Sequence, residues 1–350
     1  MTAPTRTWPY LLATLLRGED LTAEDTTWAM RTVMDDDHEP VALAGFLVAL
    51  RAKGESPAEL GGLLDALMER AVPLPVDGRD VLDIVGTGGD GAHTVNISTM
   101  AAIVTAAAGA PVVKNGGRSV SSKSGSADVL EHLGVPLDLT PEQVARCVHE
   151  LGIGFTFAPA FHRGLHHASP IRRALGVPTA VNCIAPLTNP ARPGTALVGC
   201  ANLKLAPVLA TVLADRGTRA LVVRGHDGLD EITTAAPTDA WHADERGAHR
   251  VTLDTARHGL PRPGVDALRG GDAEHNATAV HAVLAGTTGA ARDAVIANAA
   301  GALATRSPTD EFEEAFADGL QRARDSIDSG AAAELLARWS ELATALTSSH

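Results

Sequence analysis

The sequence predicts an α/β protein in two parts: a small N-terminal helical domain over residues 1–77 and a large domain over residues 78–350 with a mostly parallel sheet. Three observations predict it. Before residue 73 apolar residues recur at helical spacing, the run PLPVDG at 73–78 reads as a linker, and beyond it short apolar strand-like runs alternate with helical ones. That alternation is the pattern of parallel strands joined by helices. At 350 residues the chain is long enough to bury a core for each part.

In chain order, Thr22 followed by Asp25 has the spacing of a helix start, and Pro40 and Pro57 sit at first-turn positions behind Glu39 and Ser56. Leu43, Phe46, Leu47 and Leu50, then residues 60–68, supply the buried stripes of a bundle. Strand candidates follow at 81–85, 112–113, 154–157, 179–182, 195–198 and 220–223. The Ala-rich run 100–108 reads as a buried helix, a further helix begins near Ala127, and residues 311–349 return to Ala- and Leu-rich helix. Residues 163–175 read helical inside the α/β part. Part of 163–185 is expected to pack back on the bundle and line a cleft between the domains, a favoured position for ligands. Residues 242–250 and 259–271 are polar or rich in Gly and Pro and carry no recognisable chemistry.

The chemistry lies in residues 83–131, where DIVGTGGD, GAHTVNIST and KNGGRSVSSKSGSADVLE follow one another with little side-chain bulk. Gly86, Gly88 and Gly89 come directly after a strand and let backbone N–H groups approach an anion. The N-terminus of the helix after Asn96, Ser98 and Thr99 adds more donors. Lys114 then leads a second Gly/Ser loop into a second helix. Repetition of strand, glycine loop and helix start implies repeated phosphate contacts, with the loops at the carboxyl ends of the strands.

The formal net charge of -13 excludes a general nucleic-acid or acidic-membrane binder, which needs a basic face. An acidic protein that holds a small anion relies on local cations such as Lys114, Arg118 and Lys123, on backbone dipoles and on a divalent ion. Cys147, Cys183 and Cys200 are scattered through apolar segments without metal-site spacing, as expected of reduced thiols in the cytoplasm. No window reaches the roughly 18 apolar residues of a membrane span, and no basic, apolar leader opens the sequence.

The ordered set GTGGDG, NIST, K-x-G-x-RSVSSKSGSADVLE, FAPAFH, PIRRALG, N-x-x-x-PLTNP and DGLDE resembles the anthranilate phosphoribosyltransferase family, over roughly residues 10–345. The resemblance implies transfer of a phosphoribosyl group from 5-phosphoribosyl 1-diphosphate to anthranilate, release of pyrophosphate, and a homodimer formed through the helical domain. Carried onto this sequence, it implies that Gly86, Gly89, Asp90, Thr94, Asn96, Ile97, Ser98 and Thr99 cradle the diphosphate and ribose. Lys114, Arg118, Ser119, Ser121, Ser122 and Ser126 complete the donor site. Asp230 and Glu231, with the Ser98 hydroxyl, become magnesium ligands for two ions, and these two acids with Lys114 the catalytic groups. Arg172 takes the anthranilate carboxylate, while Asn115, Gly117 and His162 lie beside the acceptor.

The pattern also departs from the family. Where its members read KHGN, this chain has Lys114, Asn115, Gly116 and Gly117; Ala185 replaces a glycine before Pro186, and Arg224 stands where a histidine is usual. Donor and metal positions are kept while positions near the acceptor change. Two acceptors therefore stay open, anthranilate and a different aromatic compound. A pyrimidine nucleoside phosphorylase is less compatible, because the first loop lacks that family's lysine and NIST and DGLDE would have no role.

Overall fold

The computed structural model describes residues 5–119, 123–307 and 311–348. The N-terminal bundle consists of α1 (Trp8–Leu16), α2 (Ala23–Met34), α3 (Pro40–Lys53) and α4 (Pro57–Glu69). Thr22 and Ser56 open α2 and α4 with reciprocal bonds to Asp25 and Glu59, and Pro40 and Pro57 stand in the first turns of α3 and α4. Glu59 is fully buried yet satisfied, accepting from Leu21 N (3.0 Å), Ser56 N (2.7 Å) and Lys53 Nζ (2.9 Å). α2 and α4 touch at Gly62, where a Cβ would lie 2.0 Å from the Ala23 carbonyl oxygen.

The sheet contains β1 (Leu82–Gly86), β2 (Val112–Gly116), β3 (Ile153–Phe157), β4 (Thr195–Gly199), β5 (Arg219–Gly225), β6 (Thr238–Asp244) and β7 (Gly247–Leu253), in the order β3-β2-β1-β4-β5-β6-β7. The first five are parallel and the last two antiparallel. Around them lie α5 (Ile97–Ala107), α6 (Ser126–His132), α7 (Pro141–Leu151), α8 (Ala158–Phe161), α9 (Ser169–Leu175), α10 (Ala180–Ile184) and α11 (Ala206–Asp215). α12 (Ala273–Leu284), α13 (Ala290–Ala304), α14 (Phe312–Asp328) and α15 (Ala331–Thr347) complete the chain.

Two elements differ from the sequence reading. Residues 179–182 are not a strand: Thr179 and Asn182 cap each other and open α10, so a local cap overrides the β-branched residues. Residues 242–250 belong to the β6–β7 hairpin, whose polar look hides full burial along β6. Ion pairs make that burial tolerable: Asp239 meets His226 and Arg250, and Asp244 meets Arg246.

Strand alternation divides the apolar residues into two cores. In β4 Leu197 faces one core while Ala196 and Val198 face the other; in β5 Leu221 and Val223 oppose Ala220 and Val222. The first core gathers α5, α7 and α12–α15. The second joins that sheet face, through α10 and α11, to the N-terminal bundle, which also receives Ala168, Val181, Cys183 and Ile184. The segment around α9 and α10 thus leans on the bundle while still connecting to the sheet.

Candidate active site

β1, β2, β4 and β5 end at one edge, with Gly86 opposite Gly199 and Gly199 opposite Val223. From β1 the chain builds outward to β2 and β3, then returns to place β4 on the other side. The loops after β1 and β4 therefore part at a topological switch point, where open α/β sheets bind ligands. Gly88 and Gly89 hold φ of 65° and 85°, a conformation that suits glycine and turns their N–H groups out of the strand direction.

Asp230 fits into this crevice only because its neighbours lack side chains. A Cβ on Gly86 would lie 2.5 Å from Asp230 Oδ2, and one on Gly199 would lie 1.6 Å from the Asp230 carbonyl oxygen. Gly88 N donates to Asp230 Oδ2 at 2.7 Å. Burial of the carboxyl, reinforced by Asp90, pushes Asp230 up to about 7. Glu231 is raised well above the carboxylate range, again first by burial and then by Asp230, although Lys114 and the Ser98 N–H oppose the shift. Asp227, the remaining acid of DGLDE, is engaged within its own turn, accepting from Leu229 N and Thr233 Oγ1.

Lys114, buried in the middle of β2, donates to the Ile84 carbonyl and to Ser98 Oγ (3.2 Å). Burial lowers its affinity for a proton, while Asp83, Glu231 and Asp230 counter that effect. Asp83, in mid-strand β1, is itself pushed up to about 6 by burial, against Lys114 and its hydrogen bonds. It accepts from Asn189 Nδ2 (2.9 Å) and Asn115 N (3.1 Å), which ties β1 to β2 and to the segment before β4. Asp83→Ala should therefore cost about 1–3 kcal/mol of stability, since it takes the acceptor from the buried Asn115 N–H and from an Asn189 amide N–H. Chemical denaturation measures it; a loss below about 1 kcal/mol would contradict the assignment.

The other donor-loop residues divide by what they can offer. Asn96 and Ser98 stay partly open, Ile97 is a core side chain, and Thr99 is buried with its hydroxyl unpartnered. Thr94 pairs with Arg269 through the backbone. Ser126 begins α6 and packs under Gly116, where a Cβ would meet its Oγ at 2.2 Å. Arg118 is exposed and paired with Asp128 (2.8 Å) and Glu131 (2.9 Å). Ser119 N donates to Asp128. Ser121 and Ser122 lie outside the described residues.

On the acceptor side, His162 is buried and its Nε2 lies 2.6 Å from the Thr188 carbonyl oxygen. Burial depresses its proton affinity, against the backbone bond to Thr188. Asn115 Nδ2 reaches Ala185 O and Thr188 Oγ1, both at 3.4 Å, and its Oδ1 accepts from Thr156 Oγ1 (3.0 Å). Two of the altered positions, Asn115 and Ala185, are thus in contact, and the Asn115 amide joins the acceptor segment through its Nδ2 to β3 through its Oδ1. Arg224 instead braces the loops after β4 and β5, donating to Ala201 O (2.8 Å) and Gly225 O (3.2 Å). Gly117 has no positive φ and open space where a Cβ would point. Arg172 keeps a buried Nε without a hydrogen-bond partner, and burial lowers its proton affinity.

Sequence reading missed several residues that shape this edge. Asp83 carried a signal, an acid inside the apolar run VLDIV, and Asn189 lay in the quoted PLTNP. Gly199 and Asn276 carried none, because only the sheet register and the packing of α12 bring them to the site.

Residues 78–333 match the α/β domain of a glycosyl transferase family, and residues 9–71 match its helical bundle domain. The anthranilate phosphoribosyltransferase of Salinispora arenicola is 57% identical over 97% of this chain and 98% of its own. That of Nocardia farcinica is 52% identical over 96% of this chain and 99% of its own. The crystal structure of the Thermus thermophilus anthranilate phosphoribosyltransferase is similar with a TM-score of 0.87 at 38% identity, covering 95% of this chain and 99% of that one. The Saccharomyces cerevisiae enzyme in complex with PRPP and Mg gives 0.85 at 26% identity, covering 98% and 99%. With motifs, fold and full-length similarity in agreement, the chain belongs to the anthranilate phosphoribosyltransferase family.

Proposed function

We propose that this protein transfers the phosphoribosyl group of 5-phosphoribosyl 1-diphosphate to the amine of anthranilate and releases pyrophosphate, a step of tryptophan biosynthesis. The observation that carries the proposal is the meeting of the glycine loop after β1, the N-terminus of α5, Lys114, Asp230 and Glu231 at one sheet edge. That set offers backbone donors and a cation to phosphate, and carboxylates to a metal. Gly86, Gly89, Asp90, Thr94, Asn96, Ser98 and Thr99 form the diphosphate and ribose cradle; Ile97 serves by backbone and core. Lys114, Ser119 and Ser126 line its other side, and Arg118 reaches it by exchanging its carboxylate partners for phosphate.

Magnesium, present with PRPP in the yeast relative, suits the donor set here. Among the described residues no three His, Cys, Asp or Glu side chains are placed as a ready cage. Asp230, Glu231 and Ser98 Oγ would hold it, with waters and donor phosphates filling the remaining positions, as this ion prefers. We place two ions there. When bound, Mg²⁺ neutralises charge on the departing pyrophosphate. The residues position and stabilise: Lys114 adds fixed positive charge, and the loop N–H groups need no reorganisation as the bond breaks. An aromatic amine attacks as the neutral base, so no side chain has to deprotonate it beforehand.

Arg172, with its unpartnered buried Nε, is the group we assign to the anthranilate carboxylate. Arg172→Met should raise the anthranilate KM about 10- to 100-fold and leave the donor KM within about twofold, the worth of a charged hydrogen bond. The function itself is tested by incubating the purified protein with PRPP, Mg²⁺ and anthranilate or other aromatic acids, and reading products by mass spectrometry. Phosphoribosylanthranilate as the major product supports it; a product formed only from another acceptor overturns it. The open space at Gly117 favours that second reading, a larger aromatic acceptor, and Gly117→Asn separates the two. The added side chain should tighten anthranilate use up to about tenfold, or block the larger compound.

We further propose a homodimer through the bundle. Leu16, 79% exposed on α1, and Val41, 86% exposed on α3, are apolar side chains that a partner would cover. Light scattering at micromolar concentration should give twice the chain mass of 36.1 kDa. No helix among the described residues is long and apolar enough to cross a membrane. Together with three free buried cysteines this supports a cytoplasmic place.

A further inference from the structure

We infer that Asn276, on α12 and far in sequence from every motif, is a positioning residue of the donor site that sets the Asn96 amide and joins two donor loops into one frame. The inference rests on the reading of Asn96 as part of the donor cradle. Asn276 is 1% exposed, and both ends of its amide are engaged: Nδ2 donates to Asn96 Oδ1 at 2.7 Å, and Oδ1 accepts from Gly271 N at 2.8 Å. Asn96 Nδ2 in turn donates to the Ser124 carbonyl oxygen at 3.3 Å. The row of bonds runs from a backbone N–H at Gly271 to a backbone C=O at Ser124, groups whose donor and acceptor roles cannot change. Its direction is therefore fixed, and each amide has one workable orientation.

Asn96 shows the consequence. It occupies the N-cap of α5 but makes no side-chain cap bond, the usual use of an asparagine there. Its side chain links α12 to the Ser124 loop instead; of the first N–H groups of α5, Ile97 bonds Val95 O and Thr99 bonds Asn96 O, while that of Ser98 is turned to Glu231 in the crevice. The segment before α12 is laid tightly along the same loop. Val95 N donates to Leu268 O (2.9 Å), Gly270 N donates to His93 O (2.8 Å), and a Cβ at Gly270 would lie 2.6 Å from Thr94 O. Residues 93–96 are thus held from behind by a stretch whose polar composition suggested no role.

Asn276→Asp is the sharp test, because it keeps size and the acceptor for Gly271 but removes the donor to Asn96. If Asn96 turned its NH₂ toward the new carboxylate, its own oxygen would face Ser124 O, so one link breaks either way. The variant should raise the PRPP KM about tenfold, with kcat and the anthranilate KM within about twofold. In an Asn96→Ala background the same change should add less than about twofold, because the residue through which it acts is gone. Full additivity would overturn the inference, including an additive effect from the new charge near the phosphates. So would an unchanged PRPP KM in Asn276→Asp beside a raised one in Asn96→Ala, which would leave the cradle reading intact. An unchanged PRPP KM in Asn96→Ala would overturn both. Asn276→Ser, neutral and smaller, undergoes the same cycle if the Asp variant does not fold, with the same outcomes deciding.

Discussion

Gly199→Ala is expected to lower kcat/KM at least about a hundredfold, although the change adds one carbon and creates no forbidden backbone angle. The new Cβ would lie 1.6 Å from the Asp230 carbonyl oxygen and 2.6 Å from its carbonyl carbon, both backbone atoms that no rotamer change can move aside. The strand itself cannot yield easily. β4 is paired on both sides, Thr87 N donates to Gly199 O, and Cys200 N donates to Val223 O. What moves is the turn carrying Asp230 and Glu231, and a displacement near 1 Å is enough to spoil a catalytic arrangement. Overpacking should also cost about 1–3 kcal/mol in unfolding free energy. Gly61→Ala on α4 is the control, since its Cβ meets nothing within 4 Å and it lies away from the sheet edge. A Gly199→Ala enzyme with near-normal kcat/KM would mean that the close approach of β4 to Asp230 does not matter for activity.

Asp230→Asn and Glu231→Gln should each reduce kcat about 10²- to 10³-fold, and excess chelator should silence the unaltered enzyme. Both changes preserve shape and remove the negative charge a metal needs. Stability should move the other way. The folded state holds a proton on Asp230 up to about pH 7, whereas an unfolded aspartate releases it near 4. Between those values the folded protein binds more protons, so the contribution of this group to stability is present below the unfolded pKa and is lost as pH rises toward 7. Asp230→Asn lacks that loss. Its advantage in thermal unfolding without metal should therefore grow from about pH 4 to about pH 7 and then level off. Full turnover in chelator, or a variant whose relative stability does not change with pH, would remove the argument that these carboxyls are kept strained for an ion.

The helix starts at Thr22, Pro40 and Pro57 and the strand-then-glycine pattern at 81–89 were legible because caps, prolines and periodicity act within a few residues. The 179–182 stretch misled because a capping pair outweighed β propensity, and β6 stayed hidden because its acids are buried on Arg250 of β7 and on His226 and Arg246 in the adjoining turns. Lys114, Asp230 and Glu231 could be chosen as candidates from sequence, but not their shared burial. Asn115 shows the same boundary: its residue type was visible, while its contacts with Ala185 and Thr188 depend on how β2 meets the segment before β4.

By itself, the sequence determined the two-part α/β organisation, the phosphate-directed loops and the family, since each is written in contiguous residues whose local preferences agree. Tertiary structure alone decided that Gly86 and Gly199 make room for Asp230, that Asp83 ties Asn115 and Asn189 to β1, and that Asn276 stands behind Asn96. These are contacts between residues from about 30 to 180 positions apart, set by sheet order and helix packing rather than by any neighbour along the chain.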